Sequence, residues 1–423
     1  MWSFVERAYP LCRSLTGAGV RQTLALLGER IPLQVHEVPS GTRILDWTVP
    51  KEWNVKEARI RGPRGETIAD FAEHNLHLLG YSAPVRTTLE LDELLPHLHS
   101  LPERPDWIPY RTSYYEETWG FCLPHRRVES LEPGPYDVVV DATLEDGALT
   151  YGECFLAATT PGPFRGEVLL SAHICHPSLA NDNLSGLAVC MALAETLARR
   201  PERRYGYRFV FAPGTVGAIA WLARNPDARA RIAAGLVAAN LGDPGRFHYK
   251  RSRRGTAEID RAAAVVLRDR GADHAIEDFV PFGYDERQYG SPGVDLPVGA
   301  LTRTPWGRYP EYHTSADDLS LISPQRLVES LEVYLAVVEV LEGNRAYLNL
   351  SPVGEPQLGR RGLYGSLGGA SGGRADELAL LWVLNQSDGR NTLLDTAERS
   401  GVAFAALRRA ADRLFDAGLL RET

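Results

Sequence analysis

The chain has 423 residues, of which 44% are hydrophobic and 24% charged, and its net charge at pH 7 is −8. These values are those of an ordinary globular protein and exclude a mainly disordered or fibrous chain. A net acidic charge does not favour a protein that captures the phosphate backbone of nucleic acids, because such proteins carry a dominant basic face. At roughly 150 residues per domain, the length predicts two or three folded units.

The sequence lacks the signs of an exported or membrane protein. The cysteines are odd in number, scattered and without a CxxC pair, so neither a disulfide framework nor a thiolate zinc site is expected; they are Cys12, Cys122, Cys154, Cys175 and Cys190. The first residues show no cleavage pattern of a signal peptide, and no run of about eighteen apolar residues occurs. We therefore expect a soluble cytoplasmic protein with reduced thiols and no membrane partner.

The N-terminal third contains two stretches with different sequence patterns. Residues 1–37 have apolar residues at helical spacing and predict a helical part of the core. Residues 38–143 contain short β-prone runs, such as 44–49, 58–61 and 136–140, broken by Gly and Pro. This second stretch is typical of a β-rich subdomain inserted into the core.

Residues 144–358 alternate between predicted strands and helices, which is typical of an α/β core with a mainly parallel sheet covered by helices. In such a sheet, ligands bind beyond the carboxyl ends of the strands. Polar residues that follow each strand are therefore the candidates for function. The predicted strands are 166–172, 207–212 and 235–241, and helices are predicted at 186–199 and 216–224.

The C-terminal part is predicted to be a separate small unit. Residues 359–374 form a Gly-rich stretch that is typical of a flexible linker. Residues 375–423 then predict a winged helix, with helices at 376–384, 392–400 and 403–417 and a short strand at 418–420.

The segment Ser171–Gly186 is the richest in chemistry, because it places His173, His176 and Asp182 in one turn between a buried strand and an apolar helix. Imidazole and carboxylate groups are the usual ligands of zinc. The alternative is that Asp182 caps the helix and the histidines lie on a solvated loop.

Two further polar clusters follow later in the chain. Asp243 lies in a Gly/Pro turn, where an aspartate is often structural, and His313 lies in the irregular segment Tyr309–Asp318. Together the clusters give the order His, Asp, Asp, His along a single predicted sheet. That order favours a shared metal site over separate structural roles.

These motifs resemble those of a known family. The segment SAHICHPSLANDNLSG is similar to the GAHYDS and ADDNASG segments of zinc aminopeptidases of the bacterial leucyl aminopeptidase type, and EYHTSADDL is similar to their YHT-x-x-D segment. The resemblance covers roughly residues 160–340. It implies an αβα sandwich in which His173, Asp182, Asp243 and His313 are metal ligands, with Asp182 bridging two zinc ions. The β-rich insertion, the DERQY segment and the winged helix more narrowly resemble bacterial aminopeptidase-like proteins.

The chain departs from this family at two places. The family's His-x-Asp becomes His173-Ile-Cys175, so the carboxylate that orients the first imidazole is absent. Gly214 and Thr215 stand where the family has adjacent glutamates, a general base and a metal ligand. The zinc count, one or two ions, is therefore open, and His176 is a further candidate ligand or partner of a ligand.

The missing general base directs attention to the segment Gly283–Tyr289, which aligns loosely with a family loop near the metals. Glu286 is the predicted base, and Asp285 is a candidate metal ligand or partner of one; the alternative is a solvated turn. Arg287, Arg303 and Tyr312 are candidates for substrate binding, since an arginine can pair with a carboxylate through two hydrogen bonds.

The sequence thus predicts a metal-dependent, aminopeptidase-like amide hydrolase that acts on a peptide or small amide conjugate. The missing glutamates leave open a non-catalytic binding protein, and the winged helix leaves open a ligand-sensing regulator. The basic run 250–254 does not favour nucleic acid as a partner, since a local ion-paired loop explains it equally well. Assembly into a homo-oligomer is left open.

Overall fold

A computed structural model describes residues 1–114, 116–364 and 373–423. The predicted linker at 359–374 lies in large part outside the described residues. The chain divides into two compact units: residues 1–255 with 277–331, and residues 256–276 with 332–423. Among the described helices, none combines the length and apolar character needed to cross a membrane.

The helices agree with the predicted ones within a few residues wherever a helix was predicted. The helices α3, α4, α7, α8 and α9 were not predicted. The bounds are α1 Trp2–Ala8, α2 Ala18–Gly28, α3 Leu91–Leu94, α4 His125–Glu129, α5 Gly186–Ala198, α6 Val216–Arg224, α7 Pro226–Ala230, α8 Glu258–Arg270, α9 Glu286–Tyr289, α10 Pro324–Gly343, α11 Gly373–Gln386, α12 Leu393–Ser400 and α13 Phe404–Asp416.

The strands confirm the predicted change from a β-rich region to an alternating core. Their bounds are β1 Gln34–Pro39, β2 Arg43–Ile44, β3 Trp47–Thr48, β4 Glu52–Arg61, β5 Thr67–Asp70, β6 Val85–Glu90, β7 Leu98–His99, β8 Phe121–Cys122, β9 Pro135–Glu145, β10 Ala148–Leu156, β11 Glu167–His173, β12 Gly206–Ala212, β13 Ile232–Ala238, β14 Phe247–Lys250, β15 His274–Glu277, β16 Val298–Thr302, β17 Ala346–Asn349, β18 Asp388–Thr392 and β19 Leu420–Glu422.

The main sheet of the first unit runs in the order β1-β10-β12-β11-β13-β16-β14. The central strands β12, β11, β13 and β16 are parallel, while β1, β10 and β14 pair in the antiparallel sense. Every residue of β11, β12 and β16 is buried. Strands buried on both faces require near-continuous apolar runs, which is what these sequences have.

The β-rich insertion forms its own antiparallel sheet in the order β5-β4-β9-β6. Trp53, Phe121 and Tyr136 lie in its core. On either side of the insertion, β1 and β10 pair with each other in the main sheet, with Val38 opposite Leu149. The insertion therefore leaves the core and returns to it at neighbouring strands.

The second unit contains the winged helix together with α8. Its small sheet has the order β18-β17-β19, so the strand at Ala346–Asn349 lies in the centre of the wing. Arg261 of α8 forms ion pairs with Asp395 and Glu398 of α12. Asp269 accepts a hydrogen bond from the backbone N of Phe404, the first residue of α13. The helices of the winged helix are thus bound to α8 within one unit.

Candidate metal centre

Three imidazoles converge on the carboxylate of Asp182. His173 Nε2 lies 2.7 Å from Asp182 Oδ1, and His313 Nε2 lies 3.1 Å from Oδ2. His176 Nδ1 is 3.2 Å from Oδ2. Asp182 is fully buried. We call His173, His176, Asp182 and His313 the His–Asp cluster. The sequence analysis named all of these residues as candidate metal ligands, and the structure brings them together.

Asp182 is held in place by a second carboxylate that the sequence reasoning missed. Asp317 accepts hydrogen bonds from the backbone N of Asn181 at 2.6 Å and of Asp182 at 3.1 Å. Tyr309 donates its hydroxyl to Asp317 at 3.3 Å. Burial raises the pKa of Asp317 to about 7, and the charge of Asp182 acts in the same direction. The signal was present in the sequence, because Asp317 ends the quoted YHT-x-x-D segment.

His173 is oriented by an aromatic ring in the absence of the family's carboxylate. The ring of Tyr284 stacks on the imidazole with centroids 5.6 Å apart. Cys175, which stands at the position of the missing aspartate, is buried and directs its thiol toward the backbone O of Gly214, 3.7 Å away. Tyr284 therefore restrains the ring of His173 by packing, and the thiol does not replace the carboxylate.

His313 is supported by the β-rich insertion, which the sequence did not connect with the site. The backbone N of Tyr110 donates to the carbonyl O of His313 at 2.8 Å. The Tyr110 ring also packs edge-on against His313 and His176, with centroids about 5 Å away. His313 has a φ of 56°, in the left-handed region that non-glycine residues rarely adopt. Tyr312 stacks on His313 at 3.9 Å.

The His–Asp cluster has the donor chemistry of a cation site. Among the described residues, the metal-capable atoms of His173, His176 and Asp182 all lie within 4.8 Å of one another. Burial alone would raise the pKa of Asp182, but the imidazoles of His176 and His173 outweigh it and hold the pKa well below its usual range. A buried, ionised carboxylate among imidazoles requires positive charge, and imidazole nitrogen with carboxylate oxygen suits zinc.

The structure does not bring Asp243 into this cluster, although the resemblance implied that it is a ligand. Its Oδ2 accepts from Asn181 Nδ2 at 3.0 Å. Its Oδ1 accepts from Thr304 Oγ1 at 2.5 Å and from the backbone N of Gly245 at 2.7 Å. These hydrogen bonds occupy both oxygens. Asp243 therefore braces Asn181, the neighbour of Asp182, whereas His176 lies 3.2 Å from Asp182 itself.

The place of the missing glutamates is approached by Asp285. A Cβ built on Gly214 would lie 3.2 Å from His173 Cβ and 3.7 Å from Asp285 Oδ1. Asp285 is 2% exposed, and no described residue donates a hydrogen bond to its Oδ1. Burial raises the pKa of Asp285 to about 7, with the carboxylate of Glu286 acting in the same direction. Asp285 thus presents a buried, unpaired oxygen to the position of Gly214, which adjoins His173.

Glu286, the predicted base, has a different environment from its neighbour. Its Oε1 accepts a hydrogen bond from Lys250 Nζ at 2.6 Å, and its side chain is fully buried. It lines a cavity together with Lys250 and Tyr284. The sequence predicted Glu286 as the base. The structure pairs Glu286 with a lysine and leaves an oxygen of Asp285 unpaired near Gly214, at the end of β12.

The candidate substrate-binding residues lie at different depths. Arg303 is 3% exposed, donates to Glu329 at 3.1 Å and packs over Phe247, so it is an interior ion pair. Arg287 lies over the Phe282 ring, 5.8 Å from its centroid. Tyr312, stacked on His313, is the one of the three that contacts the cluster in the described structure.

The family model described as "Domain of unknown function (DUF4910)" matches residues 2–344, and a model described as "winged helix-turn-helix" matches residues 345–422. A relative from Clostridium acetobutylicum is 48% identical over 421 residues, covering 100% of this chain and 96% of its own. It is named "Putative polysaccharide biosynthesis protein with aminopeptidase-like domain". The winged-helix match begins before the predicted start at residue 375, because β17 belongs to the wing.

Solved structures give the same result for the fold. A crystal structure from Clostridium acetobutylicum, described as a "putative peptidase", is 47% identical with a TM-score of 0.94, covering 100% of this chain and 96% of that one. A zinc aminopeptidase from Bacillus subtilis is 13% identical with a TM-score of 0.58, covering 80% and 94%. Identity at that level shows the fold alone. The aminopeptidase-like fold with a mainly parallel sheet and a C-terminal winged helix is thus confirmed.

Proposed function

Because the chain belongs to the DUF4910 family and has an aminopeptidase-like fold, we propose that it is a metal-dependent amide hydrolase. The observation that carries the proposal is the convergence of His173, His176 and His313 on the buried carboxylate of Asp182. His173, Asp182 and His313 would hold the cation, with His176 as a further ligand, and zinc is the metal that suits this donor set.

When bound, zinc supplies a Lewis acid that polarises a carbonyl oxygen and lowers the pKa of water. The chain itself supplies the proton transfer. We assign this role to Asp285, whose unpaired oxygen approaches Gly214, the residue that adjoins His173 at the end of β12. Asp285 accepts a proton from the attacking water and returns it to the leaving amine, so that the C–N bond breaks into a carboxylic acid and an amine. Glu286 is the alternative base, and its pairing with Lys250 argues against it.

The substrate class is a peptide or a small amide conjugate. The name of the Clostridium acetobutylicum relative suggests a further kind of small amide conjugate. Its name places that protein in polysaccharide biosynthesis. Polysaccharide precursors include sugars that carry an amide, so we include amide-linked sugars among the candidate substrates. The expected cytoplasmic location stays a prediction.

Nucleic acid is not part of the proposal. In α13, Arg408 donates to the carbonyl O of Gly343 and pairs with Asp412 at 2.9 Å. Arg413 donates to the carbonyl O of Leu363 at 3.1 Å. Two of the three arginines of α13 are thus already engaged within the second unit. A salt-sensitive gel shift of specific DNA by the intact chain would instead favour a regulator.

One observation favours a second function. Gly214 and Thr215 carry no carboxylate at the end of β12, which suits a binding protein without turnover. The test is hydrolysis of a panel of aminoacyl amides, dipeptides and N-acylated amino sugars by the zinc-loaded chain and by chelated chain. We expect turnover of at least one amide that is lost on chelation. No turnover across the panel would favour the binding protein.

A further inference from the structure

A cavity of about 230 Å³ lies in the first unit beside the His–Asp cluster. Tyr284 belongs to both places, because it lines the cavity and its ring stacks on His173. The volume is below the roughly 300–1,000 Å³ of pockets for drug-sized ligands, so it fits one ring or one side chain. The wall combines aromatic rings with charged groups and includes His248, Lys250, Glu277, Phe282, Glu286, Trp306 and Arg308.

The cavity wall contains a buried hydrogen-bond acceptor without a donor. Glu286 is fully buried, and Lys250 donates to its Oε1 at 2.6 Å. No described residue donates to Oε2. Nearly all buried polar atoms have a partner, and an unpaired carboxylate oxygen costs free energy. A ligand that donates a hydrogen bond would remove this cost.

The charges around the cavity occur in pairs. Lys250 offsets Glu286, and Arg308 forms two hydrogen bonds with Glu277, one of them at 2.9 Å. His248 Nδ1 is bound to the carbonyl O of Arg303 at 2.7 Å. Because each carboxylate already has a cation, an ammonium group would gain little here. The donor that fits is a neutral hydroxyl.

Aromatic rings supply the rest of the wall. Phe282 and Trp306 pack edge to face with centroids 4.6 Å apart, and Phe282 is 58% exposed. The flat face of such a ring suits the C–H face of a saturated ring. An apolar side chain would use these rings but would leave Glu286 Oε2 unpaired.

We propose that this cavity binds one sugar ring, with a hydroxyl donating to Glu286 Oε2 and the ring lying against Trp306 and Phe282. The proposal rests on the proposed function, since it makes the substrate an amide borne by a sugar. Glu286 is then a substrate-binding residue, and the carboxylate of its neighbour Asp285 approaches Gly214 at the end of β12. One short segment would then contain both the residue that binds the sugar, Glu286, and the residue that transfers the proton, Asp285.

The test is calorimetric titration of the full-length chain with methyl β-D-glucopyranoside, methyl β-D-galactopyranoside and the N-acetyl-glucosaminide, against N-acetyl-leucinamide as an apolar peptide mimic. The first two glycosides contain no amide, so binding is measured without turnover. Glu286→Gln keeps the shape but turns the acceptor at Oε2 into a donor. Trp306→Ala removes the aromatic face, and Trp382→Ala, in the second unit, is the control.

We expect at least one glycoside to bind more tightly than N-acetyl-leucinamide. Glu286→Gln and Trp306→Ala should weaken that binding at least tenfold while the variants remain folded at the titration temperature, and Trp382→Ala should leave it unchanged. Tighter binding of N-acetyl-leucinamide, no binding of any glycoside, or binding unaffected by Glu286→Gln would overturn the proposal. Glycoside binding without amide turnover would refute the hydrolase instead, and turnover without glycoside binding would refute only the sugar ring.

Discussion

Gly214 and Asp285 face each other at the end of β12: a Cβ at Gly214 would lie 3.7 Å from Asp285 Oδ1. The zinc aminopeptidases that the chain resembles place a glutamate pair in this part of the sequence. Here a carboxyl group reaches the same region from another segment of the chain. The absence of the pair therefore does not leave the His–Asp cluster without a neighbouring acid.

The first prediction concerns this carboxyl group. Asp285→Asn should lower kcat by about a hundredfold or more, because the amide cannot accept the proton of the attacking water. Zinc content should stay unchanged, since Asp285 is not among the proposed ligands. Steady-state kinetics and elemental analysis on the same preparation measure both quantities.

The matched control is the adjacent residue. Glu286→Gln should raise KM for a sugar-bearing amide and leave kcat within about threefold. If Glu286→Gln abolishes turnover and Asp285→Asn retains it, Glu286 is the base and the assignment made here is wrong.

A second prediction concerns the core of the main sheet. Arg208, on β12, donates to Glu167 at 2.6 Å and to Glu153, and all three side chains are buried. Arg208→Ala would leave Glu153 without its cation and Glu167 with Arg231 alone, and should lower the free energy of unfolding by about 3–5 kcal/mol. Arg7→Ala breaks an exposed, solvent-screened pair with Glu29 and should cost far less stability. Urea denaturation distinguishes them, and equal losses would contradict the ranking.

A third prediction concerns acid stability. Burial lowers the pKa of His74 from 6.5 to about 4, with His77 adding to the effect. The unfolded chain then binds the proton more readily, so stability present above pH 6.5 is lost as the pH falls toward 4. His74 Nδ1 accepts from the backbone N of Leu76, a bond that Asn can keep.

In the His74→Asn variant, the loss in free energy of unfolding between pH 6.5 and pH 4 should therefore be smaller by about 1–3 kcal/mol. Denaturation midpoints of both chains across that range test it. Parallel pH profiles would show that His74 is not the group responsible.

A fourth prediction concerns the winged helix. Asp395 accepts hydrogen bonds from the backbone N and the hydroxyl of Thr392, which caps α12, and it also pairs with Arg261. Asp395→Ala should lower the stability of the second unit by about 1–2 kcal/mol. Glu398→Ala removes only an ion pair and should cost less. The larger loss in Glu398→Ala would contradict the capping role.

The parts of the fold that could be predicted are those with a local signal. The buried run Glu167–His173 followed by the apolar helix Gly186–Ala198 has the composition of a central parallel strand and its covering helix. β13 ends three residues earlier than predicted, at Ala238, because Asn240 has a left-handed φ of 51° that cannot continue a strand. The hydrophobic periodicity of the sequence does not reveal such a change of backbone conformation.

The parts of the site that could not be predicted depend on contacts distant in sequence. Tyr110 reaches His313 from the inserted domain, more than a hundred and fifty residues away in the chain, and no motif connects the two. The sequence predicted Glu286 as the base, whereas the contacts favour Asp285, one residue earlier at the start of α9; a loose alignment cannot resolve a difference of one residue. Asp243 stands at a position where the resemblance implied a metal ligand. Its carboxylate oxygens instead accept hydrogen bonds from Asn181, Thr304 and Gly245.

The central claim is that His173, Asp182 and His313 bind one cation together, and zinc content measures it most directly. After zinc loading and desalting, the chain should retain at least one zinc ion per molecule by elemental analysis. His173→Ala and His313→Ala should each retain a small fraction of it, and His274→Ala, whose ring is bound to its own loop, should retain all of it. Full zinc occupancy in both cluster variants, or none in the unaltered chain, would contradict the account.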